Sequence, residues 1–159
     1  MTAYLIAAVA LAAALPAAQK PGGSAPAPSK IDACSLLTKA EVKEHLPWAS
    51  HVDRLPVERE DIGETGSACN YPTVYIQIFP YSRHSMDAAH KSRKQEPVAG
   101  VGDEAYISAN RTYYAELIVK VGPRMMTLQA SIPRGATYET TKPKTIALAK
   151  ALIAKLPAR

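Results

Sequence analysis

Cys34 and Cys69 are the chain's only cysteines. The chemistry open to them is one intramolecular disulfide. In an oxidising compartment that bridge would close a loop of roughly 36 residues, for which the chain-entropy model assigns about 3–4 kcal/mol of stabilisation. Two separate buried thiols are the alternative reading. A redox-active pair needs closer spacing, usually C-x-x-C, and this pair lacks it. The four histidines, His45, His51, His84 and His90, include no i, i+4 pair and no neighbouring cysteine, so they read as exposed polar residues with no metal to hold.

The remaining constellations are weaker. Glu58, Glu60, Asp61 and Glu64 would offer oxygen ligands, but their spacing matches no EF-hand, and a solvated loop is the better reading. Gly100-Val101-Gly102 begins like a dinucleotide fingerprint. Its third glycine is missing, Asp103-Glu104 would repel phosphate, and a strand follows where a helix N-terminus is needed. A tight turn is expected there. The run His90-Lys91-Ser92-Arg93-Lys94, with Lys142, Lys144, Lys150 and Lys155, would suit phosphates of lipid or nucleic acid, but reads better as a solvated face. No G-x-S-x-G motif is present. Asn110-Arg111-Thr112 is a glycosylation sequon, relevant only in a eukaryotic source. No catalytic residue, cofactor or metal is assigned, and a non-enzyme is expected.

The ends of the chain set the compartment. Tyr4 to Leu15 is apolar, ends at Pro16-Ala17-Ala18, and is followed by a polar segment. A core of about 12 residues fits a secretory signal and falls short of the ~20 that span a bilayer. Residues 1–18 therefore read as a signal peptide, and 19–30, QKPGGSAPAPSK, as a flexible linker. A single domain is expected over 31–157, periplasmic or secreted, with no mature transmembrane segment. The net charge of +5 favours anionic partners weakly and specifies none.

Within the domain, Asp32 is placed to cap a short helical turn through Leu36, and Thr38 with Glu41 forms a capping box for a helix to about Leu46. Trp48 reads as a packing anchor. Val52 to Glu58 is expected as an edge strand, Glu60 to Ser67 as a loop, and Ala68 to Tyr71 as a short strand. Val74 to Phe79 alternates as a strand should. A surface helix is expected from Ser82 or Ser85 to about Lys94. Strands then follow over Glu104 to Ser108, Tyr113 to Val121 and Met125 to Ile132, forming an antiparallel meander. The last helix is expected from about Lys142 to Leu156, capped by Thr140 or Thr141, burying Ile146, Ala149, Ile153 and Leu156, with Leu148 and Leu152 widening the stripe. The fold class is α+β: an antiparallel sheet of about five or six strands with helices packed mainly on one face.

Three segments in order carry a family resemblance: Asp32-Ala33-Cys34-Ser35-Leu36-Leu37-Thr38-Lys39-Ala40-Glu41-Val42, Gly66-Ser67-Ala68-Cys69-Asn70-Tyr71, and Pro97-Val98-Ala99-Gly100-Val101-Gly102-Asp103-Glu104-Ala105-Tyr106. They resemble the D-x-C-x-L-L-T-x-x-E-V opening, the second-cysteine strand and the G-[VL]-G-D-E-A-Y segment of small secreted bacterial proteins and lipoproteins of unknown function. The resemblance implies an envelope protein, a Cys34–Cys69 disulfide and a sheet-plus-helix domain. It implies no catalytic residues. The chain lacks the lipobox cysteine of the lipoprotein members, so a soluble periplasmic protein is expected.

The expected function is a non-catalytic binding or interaction module. Its contact surface would be the sheet face that helices leave uncovered, with Tyr75, Phe79, Tyr113 and Tyr114 as candidates, or the loop near Gly100. Its partner would be another envelope protein or a small apolar ligand; nucleic acid is disfavoured. The alternative is a carrier or sensor of an apolar or lipid ligand held between sheet and helix, which an internal cavity would support.

Overall fold

The computed structural model describes residues 29–49, 52–92, 94–110 and 113–157. The expected signal peptide, nearly all of the linker and part of the sequon lie outside these residues. Asp32 accepts a hydrogen bond from the Cys34 amide at 3.0 Å and starts a 3-10 turn over Ala33–Ser35. Helix α1, Lys39–His45, opens on the expected capping box, with the Glu41 carboxylate accepting from the Thr38 amide at 2.8 Å.

The strands are β1 (Glu58–Ile62), β2 (Gly66–Tyr71), β3 (Val74–Pro80), β4 (Glu96–Pro97), β5 (Glu104–Asn110), β6 (Tyr114–Val121) and β7 (Arg124–Ser131). They form one seven-stranded sheet in the order β1-β2-β3-β7-β6-β5-β4. Every neighbouring pair is antiparallel. Helix α2, Arg83–Ser92, follows β3, and α3, Tyr138–Ala154, ends the fold. The architecture is α+β, as the residue pattern indicates, but the expectation of five or six strands is too low.

The differences have physical causes. Val52–Leu55 forms turns with Val52 fully buried, and the edge strand begins later, at Glu58. Glu60 to Ile62, expected in a loop, belongs to β1, and the connection to β2 is a tight turn at 63–65. As an edge strand exposed on both faces, β1 shows none of the apolar alternation that reveals a half-buried strand. Its charges also guard the open edge against pairing with other chains. Helix α3 starts four residues early, at Tyr138, because Thr137 and Thr140 form a second capping box. Its buried stripe is Thr141, Thr145, Leu148, Ala149 and Leu152, while Ile146, Ile153 and Leu156 are only partly covered. Two threonines can lie inside because Thr141 Oγ1 donates to Thr137 O at 2.9 Å and Thr145 Oγ1 to Thr141 O at 3.1 Å.

Leu148, Ala149 and Leu152 share one buried cluster with Ile76, Leu117, Val119 and Leu128 of the sheet and with Val42 and Leu46. Met86 of α2 shares a second with Ile118 and Met125. Successive strand residues point to opposite faces, so α2 lies across the sheet from α3. The Cys34–Cys69 disulfide, with Cα atoms 5.0 Å apart, joins the opening turn to β2. Around it, Ser67 Oγ accepts from the Ala33 amide at 2.9 Å, and the Tyr71 hydroxyl donates to Leu37 O at 2.6 Å. Burial, helped by the charges of Asp32 and Glu41, pushes the Tyr71 phenol up to about 12, so it stays a donor.

Candidate functional site

The pleat assigns one side of each strand to the face opposite α3. Strand register then aligns Glu58 with Asn70, Asn70 with Tyr75, Tyr75 with Gln129, Gln129 with Glu116, and Glu116 with Ser108. Five steps at about 4.8 Å make a row of hydrogen-bonding side chains roughly 24 Å long across the sheet. Helix α2 packs on this face around Ile118 and Met125, with Phe79, Tyr81 and Tyr106 against that cluster, and Ser108, Glu116 and Thr127 on the same face are also buried.

A cavity of about 260 Å³ opens where this face meets the β2–β3 turn. Asn70, Tyr71, Pro72, Thr73, Val74, Tyr75, Tyr114, Gln129 and Ser131 line it. Three of these side chains are each held by a carboxylate. Asn70 Nδ2 donates to Glu58 Oε2 at 3.4 Å, the Tyr75 hydroxyl to Glu60 Oε2 at 3.1 Å, and Gln129 Nε2 to Glu116 Oε1 at 2.9 Å. Tyr75 also accepts from Gln77 Nε2 at 3.0 Å, so its ring is fixed from two sides. Burial first, and the bond to Glu60 second, raise its phenol pKa against the opposing effect of Gln77. Among the described residues the buried Thr73 hydroxyl finds no hydrogen-bond partner, and such a group costs about 1–3 kcal/mol when left unsatisfied.

Of the four aromatic candidates, the structure brings together Tyr75 and Tyr114. Tyr114 is 41% exposed at the rim. Phe79 shares the face but packs beneath α2. Tyr113 is 64% exposed, precedes β6 and does not line the cavity. Asn70, Thr73, Gln129 and Ser131 escape the sequence reading. For Gln129 and Ser131 the available signal is their parity in β7, opposite the buried Met126, Leu128 and Ala130.

The Gly100 loop has a structural task. Val101 is buried, and a Cβ on Gly102, at φ +60°, would lie 2.5 Å from Lys120 O and from Val119 Cγ1. Only glycine allows so close an approach at that backbone angle. Asp103 Oδ2 then accepts from the Gly122 amide at 2.6 Å and holds the β6–β7 turn. His90 lies with its ring 4.5 Å from that of Tyr106 and contacts Gln95 at 3.3 Å. Among the described residues no three histidine, cysteine, aspartate or glutamate side chains converge to hold a metal, and no helix is long and apolar enough to cross a membrane. Compared with models of known families, with curated proteins and with solved structures, the chain matches none.

Proposed function

We propose that this chain is an exported, non-catalytic binding module of the bacterial envelope whose contact surface is the sheet face opposite α3. The observation that carries the reading is the carboxylate-held row meeting a cavity at Tyr75 and Tyr114. Polar side chains held in place on a rigid sheet lose little freedom on binding, which favours recognition. Among the described residues the lining supplies amides, hydroxyls and phenols and includes no carboxylate, imidazole or thiol, which supports binding over catalysis. Export is supported by the disulfide. Kinship with the secreted family rests on the three sequence motifs.

The carrier reading is less well supported. Leu117, Leu128, Leu148 and Leu152 are fully buried and fill the space between sheet and α3 where an apolar ligand would sit. To test the proposal, a photo-crosslinking residue is placed at Tyr114 or at the exposed Lys150 of the full chain in its own host. A discrete adduct from position 114 and none from 150 supports the open face. Adducts only from 150, or equally from both, refute it.

A further inference from the structure

We infer that the cavity at Tyr75 and Tyr114 takes one ring of a neutral, polyhydroxylated ligand, that is, a saccharide unit. This rests on the open face being the contact surface and adds the ligand class. The volume of about 260 Å³ lies below the usual range for drug-sized ligands and suits a single ring.

The lining selects by chemistry. No charged side chain lines the cavity among the described residues, so neither an anion nor an ammonium group meets a counter-charge at its wall. The amide N–H groups of Asn70 and Gln129 are drawn to Glu58 and Glu116. Each amide keeps its carbonyl oxygen as an acceptor and its second N–H as a donor. A ligand rich in O–H groups satisfies both kinds of site, whereas an apolar ring would strand them. The Tyr75 ring, fixed by Glu60 and Gln77, supplies a flat apolar surface for the C–H face of a sugar. The carboxylates therefore act as positioning groups behind the wall.

The test is a ¹H–¹⁵N NMR titration of the full mature chain with cellotriose, maltotriose and chitotriose, and separately with tetramethylammonium chloride and inorganic phosphate. Saturable shifts of the Asn70, Thr73 and Gln129 amides with at least one saccharide are expected. Binding should weaken about tenfold in Gln129→Ala and in Tyr114→Ala. Lys150→Ala should leave it unchanged. If only the ammonium or phosphate probe shifts these amides, the saccharide class is wrong while the contact face stands. If no probe shifts them, the saccharide assignment falls, and crosslinking from position 114 separately decides the contact face. Equal binding by Gln129→Ala, Tyr114→Ala and the parent chain also overturns it.

Discussion

The two faces of the sheet treat polar groups differently. Toward α3, each described polar contact closes the fold on itself. Ser67 and Tyr71 bond the opening turn, and Thr141 and Thr145 bond their own helix. On the opposite face, Asn70, Tyr75 and Gln129 are bonded sideways to carboxylates while still lining a cavity that opens outward. The first arrangement uses hydrogen bonds to hold elements together. The second uses them to hold side chains in place for something else. On the proposed function, stability and recognition are divided between opposite sides of the same strands.

That division is tested first where the largest effect is expected. Replacing both cysteines, Cys34→Ala with Cys69→Ala, should remove about 3–4 kcal/mol in urea unfolding. Leu148→Ala, on the same face, should cost about 3 kcal/mol by the same measurement, because α3 cannot collapse onto the vacated volume. Both variants, where folded, should keep the ligand selectivity of the parent chain.

The next effect is set by pH. Lys155, foremost, and then Thr38 hold the Glu41 carboxyl down at about 2, against an ordinary value of 4.5. A depressed carboxylate contributes stability that is fully present above about 4.5 and lost as pH falls toward about 2. Glu41→Gln should therefore flatten the acid limb of stability between those values, with the variant less stable than the parent at pH 7, by a modest amount because the pair is solvent-screened, and the two converging toward pH 2. Urea midpoints measured from pH 7 to pH 2 check this. The smallest effect on stability belongs to the open face, where Tyr114→Ala should change unfolding by no more than about 0.5 kcal/mol.

Local signals made much of the scaffold legible. The Thr38–Glu41 capping box and the alternation of β3, β6 and β7 depend only on near neighbours, and the elements form where those patterns stand. Charged β1 gave no period to read because both its sides meet solvent. Apolar residues mark the buried side of α3 only in part: Leu148, Ala149 and Leu152 lie inside, but so do Thr141 and Thr145, their hydroxyls satisfied. The site was half legible. Tyr75 stands off the buried parity of β3, and Tyr114 is the exposed first residue of β6, whose next five residues are all buried. Phe79 has the same parity as Tyr75, yet α2 covers it. Gln129 joins Tyr75 only through the pairing of β3 with β7, a register that the sequence of neither strand encodes.

The most direct measurement is native mass spectrometry of the protein isolated from its own host, the parent chain beside a Tyr114→Ala, Gln129→Ala variant. The account predicts a bound mass on the parent that is missing from the variant, with the disulfide intact and urea midpoints alike in both. A bound mass kept at the same occupancy by the variant would contradict it.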